Sequence, residues 1–323
     1  MKSFRYISAN TVQEAVALLK DYKGKVKLIA GGTDLLGILK DRILPDYPEV
    51  LIDIKTISGL GYIEEDAEGL RIGALVRLAD LTKSPLVRKR YKVLAEAAEA
   101  AASPQIRNMG TLGGNICQDV RCCYYRYPDQ IGGRILCLRK GGQKCFAVQG
   151  DNRYHAIFGR DACLAVCPSD TAIALSALDA RIKIVSTNGD RVIPFNDFYR
   201  TRGNVLESDD IVTEIQVAQV PDRAKQKFTK VRSRKSVDFA IASVASIVIV
   251  EDGICKDARV ALGAVASRPI RAAKAEQAIK GEAIDIITAG RAAEAAIIDT
   301  IPLSKNAYKV EVIKTLVKRA ILS

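Results

Sequence analysis

The chain has 323 residues, 48% hydrophobic and 27% charged, with a formal net charge of +12; this is globular composition with apolar material for two or three domains. A single His and no Trp leave almost nothing for His-rich metal sites or for Ser-His-Asp and Cys-His catalysis. No apolar run approaches the roughly 20 residues that span a bilayer, and the Lys and Arg are scattered rather than gathered with aromatics into a nucleic-acid platform.

The N-terminal stretch MKSFRYISANTVQEAVALL has no signal-type apolar region and no small-residue cleavage site, so a cytoplasmic location is expected unless a partner carries an export signal. The positive charge reads as a solvated surface that can also steer an acidic subunit or carrier into place.

Taken in order, NTVQEAVALLKDY (Asn10 to Tyr22) has helical spacing with Asn10 or Thr11 as its cap. KVKLIAGG is a short buried strand ending in glycines, and VLIDIKTI (Val50 to Ile57) a second strand. LRIGALVRLADLTKSP reads as strand, turn and helix. YKVLAEAAEAAAS (Tyr91 to Ser103) is an alanine-rich helix closed by Pro104. DTAIALSALDARIKIVS passes from helix to strand, with NGD as a hairpin turn. FNDFYRTRG reads as loop and short helix. From about Val217 a helix-containing link leads to two strands joined across EDG, and then to three helices, the last being NAYKVEVIKTLVKRAIL. No internal repeat is present.

Two glycine turns stand out. LIAGGTDLL (Leu28 to Leu36) sets Gly31, Gly32 and Thr33 between a strand and a helix, where backbone N–H groups can approach an anion. RNMGTLGGNIC (Arg107 to Cys117) repeats the device with Thr111, Gly113, Gly114 and Asn115. Either alone reads as a tight turn; together they suit a diphosphate gripped from two sides. Neither is G-x-G-x-x-G, so a nicotinamide fold is not indicated.

AGGTDLL, followed about 75 residues later by TLGGNI and then by PSDTAIALSALDA, resembles the FAD-binding medium subunits of the xanthine dehydrogenase and carbon monoxide dehydrogenase group of molybdenum hydroxylases. The resemblance covers essentially the whole chain. It implies an α+β fold: a two-part FAD-binding domain of the vanillyl-alcohol-oxidase (PCMH) type over residues 1–216, with subdomains of about 1–55 and 56–216, then a C-terminal α+β medium-subunit domain over 217–323. It places the flavin diphosphate against Ile29, Ala30, Gly31, Gly32, Thr33, Asp34, Leu35 and Leu36 and against Thr111, Leu112, Gly113, Gly114 and Asn115, with further cofactor contacts at Ala101, Cys123, Asp170 and Lys230.

Members of this group pass quickly from GGN to PSD; here about 50 residues intervene, and the span from Leu112 to Asp170 holds seven of the eight cysteines. Clustered thiols in a cytosolic chain point to metal or redox chemistry rather than disulfides. Cys122, Cys137, Cys145 and Cys163 are separated by 14, 7 and 17 residues, with glycine pairs at Gly132–Gly133 and Gly141–Gly142 to turn the chain between them. Four thiolates suit zinc or an iron–sulfur cluster. Only Cys163 and Cys167 have zinc-like spacing, compact ferredoxin spacing is missing, and spacing alone leaves the metal open.

The resemblance is closest to the 4-hydroxybenzoyl-CoA reductase medium subunit, which, like some related bacterial aldehyde oxidoreductases, carries a 4Fe–4S loop at this point, here about residues 117–167. QDVRCCYYR then supplies Cys122, and GGRILCLRKGGQKC supplies Cys137 and Cys145. The fourth ligand falls on Cys163 by the aldehyde-oxidoreductase pattern, with His155 and Cys167 as alternatives. Cys117 and Cys123 pack near the cofactors, and Cys255 is inert.

The implied function is electron transfer within a complex that also holds a large molybdenum-cofactor subunit and a small subunit with two 2Fe–2S clusters, with ferredoxin or NAD as the external carrier. A flavin and a one-electron cluster in one chain convert between electron pairs and single electrons. The reductase type is the expectation, with an aldehyde or xanthine dehydrogenase as the alternative. A zinc-bearing interaction protein and a nucleic-acid binder are the readings from other classes.

Overall fold

The structure, a computed structural model, describes residues 1–159, 163–234 and 237–323. It begins with β1 (Arg5–Ser8), α1 (Val12–Asp21), β2 (Val26–Ile29), α2 (Leu35–Lys40) and β3 (Val50–Asp53). The three strands form a parallel sheet of order β1-β3-β2. A central strand covered on both faces has to be apolar, and β3 is buried along its length. Thr11 is the cap of α1: its hydroxyl accepts the Glu14 N–H at 3.1 Å while the Glu14 carboxylate accepts the Asn10 N–H at 2.7 Å.

The second part contains β4 (Ile63–Glu65), β5 (Gly69–Gly73), α3 (Leu78–Lys83), α4 (Pro85–Arg90), α5 (Lys92–Ala100), α6 (Pro104–Arg107), α7 (Leu112–Ile116), α8 (Asp129–Gly132), α9 (Asp170–Ala177), β6 (Arg181–Ser186), β7 (Gly189–Pro194), β8 (Tyr199–Arg200), β9 (Gly203–Asn204) and β10 (Ile211–Ala218). Its antiparallel sheet runs β4-β5-β10-β6-β7. All of α9 is buried, packed between α5 and the next sheet, so its apolar residues lie on every side instead of in one stripe, and its Asp170, Thr171 and Ser176 are buried with them.

The third part is β11 (Lys225–Val231), β12 (Ala242–Glu251), β13 (Ile254–Gly263), β14 (Ile270–Arg271), α10 (Ala273–Ile279), α11 (Ile286–Ile297) and α12 (Tyr308–Leu322). β12 and β13 form the EDG hairpin, with Asp252 and Gly253 both at positive φ (50° and 79°) as a two-residue turn requires. The two faces of β12 enter different cores: Val244 and Val248 pack with α10–α12, Ala245 and Ile247 with α5 and α9.

Three local expectations are corrected. The link before β12 is the strand β11, not a helix: it pairs with β12 over seven residues and its Phe228 N–H donates to Glu96 of α5 at 2.8 Å. Pro104 does not close the alanine helix, which stops at Ala100; it starts α6, at the first helical position where its missing N–H costs nothing. TLGGNI is not a bare turn but the one-turn helix α7, capped by Thr111, whose hydroxyl accepts the Gly114 N–H at 3.1 Å.

The cysteine-rich stretch is mostly irregular and is tied at both ends. Arg126 and Gln130 bind it to the first part. Its second half docks on the C-terminal part: the Ile157 N–H donates to the Val265 carbonyl at 2.8 Å, the Asn306 amide to the carbonyls of His155 and Ala156, and the buried Lys309 ammonium to the His155 carbonyl at 3.0 Å. Nothing in the sequence pattern announces this second attachment.

Candidate flavin cleft and thiol pocket

A cleft of about 590 Å³ opens between the three-stranded sheet and α7, lined by residues 29–35 of the first glycine loop and by Thr111, Gly113 and Gly114 of the second. The two loops are packed onto each other. A Cβ on Gly31 would stand 1.9 Å from the Met109 carbonyl oxygen, and one on Gly113 would stand 2.9 Å from Ala74. Gly32 holds φ at +67°, a conformation that glycine adopts without strain. Small residues here do more than turn the chain: they let two backbones meet along one wall of the cleft.

Asp34 is half of the reason the loop holds its place. Its carboxylate pairs with Arg121, with Arg126 at 2.8 Å, and accepts the Asp119 N–H at 2.8 Å. Burial by itself raises this carboxyl, but Arg126 and Arg121 outweigh it and hold it below the usual range. The cysteine-rich stretch is thereby pinned to the cleft, and a bare anion is kept away from it.

The remaining expected contacts lie behind this wall. Leu36 packs beneath Gly32, and Leu112 and Ala101 are core residues. Asn115 accepts from the hydroxyls of Ser169 and Thr171 at 2.6 and 2.7 Å, joining α7 to the PSD segment. Asp170 and Lys230 form a buried ion pair at 2.6 Å, and Lys230 also donates to the Ala100 carbonyl at 3.0 Å. Cys117 and Cys167 line the cleft, their thiols pushed up to about 12 and about 11 by burial. Cys123 is exposed.

Beside the cleft, Cys122, Cys137 and Cys163 pack in one apolar pocket with Ile38, Val120 and Tyr125. Cys145 is half-buried on the segment whose Lys144 bridges to Cys137. His155 Nε2 lies 3.2 Å from the Cys122 sulfur. Cys163 and Cys167 face different sites, the pocket and the cleft, so their close spacing does not make a metal-binding pair. Among the described residues no three His, Cys, Asp or Glu side chains are grouped as ligands of one metal ion.

The description "FAD binding domain in molybdopterin dehydrogenase" matches residues 2–220, and "CO dehydrogenase flavoprotein C-terminal domain" matches residues 227–323. The chain belongs to this family of FAD-binding medium subunits. It is 42% identical over 279 residues to the aldehyde oxidoreductase FAD-binding subunit PaoB of Escherichia coli, covering 84% of each chain. It is 30% identical to the carbon monoxide dehydrogenase medium chain of Hydrogenophaga pseudoflava, covering 98% of this chain and 96% of that one. A solved structure of that dehydrogenase, lacking the Mo-pyranopterin moiety of its cofactor, superimposes with a TM-score of 0.80 at 30% identity over 99% of this chain and 96% of the other. The protein is thus a subunit of the oxidoreductase class, with the two-domain mixed α/β fold of medium subunits.

The medium-subunit cleft fits FAD on its own chemistry: two glycine-built backbone edges, an acidic side chain already neutralised by two guanidiniums, and Arg139 and Arg202 as cationic lining. Arg139, Arg202, Tyr199 and Asn204 were missed by sequence reasoning. They reach the cleft from the 3₁₀ turn Leu138–Lys140 and from the β8–β9 hairpin, distant in the chain, and no local pattern marks them.

Proposed function

We propose that this chain is the flavin-bearing electron relay of an aldehyde-oxidising molybdenum enzyme, and that its cysteine-rich stretch holds a 4Fe–4S cluster on Cys122, Cys137, Cys145 and Cys163. The observation that carries the reading is the thiol pocket set directly against the flavin cleft, with Val120 and Arg139 touching both. The 42% likeness to an aldehyde oxidoreductase subunit favours the aldehyde alternative over the 4-hydroxybenzoyl-CoA reductase type. The division into residues 1–216 and 217–323 belongs to the same reading.

The pocket's donors support a cluster over a single ion. A cluster spreads its ligands more widely than one ion, and its thiolates carry negative charge that calls for compensation. Among the described residues, Lys140 Nζ and Arg139 Nε are buried without a hydrogen-bond partner close to the thiols. Such orphaned donors are costly unless an acceptor is present.

FAD supplies electrons in pairs or singly. The rest is the work of the chain. The first loop would offer its backbone N–H groups to the diphosphate, with Thr111, Gly113 and Gly114 lining the cleft beside it; Asp34 fixes the cysteine-rich stretch to the first loop; the apolar wall of Ile38, Val120 and Tyr125 keeps water from the thiols. Substrate chemistry falls to a large molybdenum-cofactor subunit, with a small 2Fe–2S subunit between, and ferredoxin or NAD takes the electrons.

The anaerobically purified complex should contain FAD and four irons in excess of its 2Fe–2S content, and should oxidise aldehydes. Turnover of 4-hydroxybenzoyl-CoA with a reduced donor, and none of aldehydes, would return the reductase reading.

A further inference from the structure

We infer that Arg139 sets the reduction potential of the thiol-pocket cluster and links it electrostatically to the flavin; this rests on the reading that the pocket holds a cluster.

Arg139 follows Cys137 by two residues, on the 3₁₀ turn Leu138–Lys140. Its side chain is only 9% exposed. Two contacts aim it. Nη1 donates to the Asp119 carboxylate at 3.2 Å and to the Arg202 carbonyl at 3.3 Å. The guanidinium lies over the Tyr125 ring, 5.6 Å from its centroid, and that ring packs in the pocket with Cys137 and Cys163. Arg139 also lines the flavin cleft. One planar cation therefore stands in the partition between the two compartments.

Its hydrogen bonding is incomplete. Among the described residues Nε is buried with no hydrogen-bond partner. The charge is held on chiefly against burial, by Asp119 and then by the Cys163 sulfur, which lies close enough to act on the guanidinium. A guanidinium is never neutral in a protein, so a buried N–H without an acceptor next to a thiol makes physical sense when that sulfur is an anionic ligand. A cation and an N–H beside a cluster sulfur favour the reduced, more negative state and raise its potential. Because the same charge faces the flavin cleft, it favours the reduced, more negative state of the flavin as well.

The test uses the whole anaerobic complex and reads iron content, FAD content and EPR-monitored midpoint potentials of the cluster and the flavin. In Arg139→Gln, iron should match the native complex, and FAD content is read beside it because Arg139 also lines the flavin cleft. The cluster potential should fall, with at least a tenfold change in the reduction equilibrium, about 59 mV for one electron. Arg139→Lys keeps the charge but not the fork and should recover part of the shift. It also decides the matter should the Gln variant lose its cluster. Native potentials in every variant that retains iron would overturn the inference. Absence of the extra iron from the native complex would instead end the cluster reading itself.

Discussion

Asp170 at the start of α9 and Lys230 on β11 meet in an ion pair at 2.6 Å, with side chains only 7% and 4% exposed. The pair stitches the second part of the fold to the third. Removing one partner of such a pair strands the other charge in the core, which costs about 3–5 kcal/mol. Lys230→Met should therefore lower the urea midpoint sharply, and Asp170→Asn added to it should restore much of the loss. Equal midpoints for the native chain and the single variant would remove the pair from the account of stability.

The two glycine loops offer a test of the cleft with its own control. Gly31→Ala places a methyl against the Met109 carbonyl oxygen, and Gly32→Val forces a branched side chain into positive φ. Both should release FAD, read as flavin absorbance per protein. Gly37→Ala, on α2 with open space around it, should keep FAD and gain up to about 1 kcal/mol of helix stability. Undiminished flavin in the first two would take these loops out of the site.

Cys163→Ser should cut the iron content of the complex by about one cluster while FAD stays bound. Cys255→Ser is the matched control, since Cys255 is buried in the C-terminal core away from the pocket. Full iron in Cys163→Ser would shift the fourth ligand to His155, already 3.2 Å from Cys122.

Lys309 gives the chain a pH signature. Burial pushes its ammonium from 10.5 down to about 7. Between those values the unfolded chain holds a proton that the folded chain lacks, so stability falls as pH drops from 10.5 toward 7 and this group costs nothing further below about 7. The slope from this one group reaches about 1.4 kcal/mol per pH unit. Urea midpoints measured from pH 7 to 9 should climb in the native chain and climb less in Lys309→Met; parallel curves would show that Lys309 is not the source.

How much of this was legible beforehand follows the range of the interactions involved. The helix start at Asn10 or Thr11, the alanine helix, the EDG hairpin and the two glycine loops are written in neighbouring residues and are legible there, although only the fold selects Thr11 as the cap. The family motifs and the grouping of thiols into one stretch are also linear features. Other features depend on what lies across the fold. KQKFTKV became a strand because β12 was there to pair with it. Asp170 and Lys230 turned to each other across 60 residues of chain, while Asp34 found its guanidiniums 87 and 92 residues on. The docking of His155 against α12, and the placing of Arg139 between cleft and pocket, were decided in the same way. Local backbone preference and side-chain period are properties of a short segment and can be read from it. The partner of a buried charge is whichever group packing brings within a few ångströms, and only the folded chain determines that.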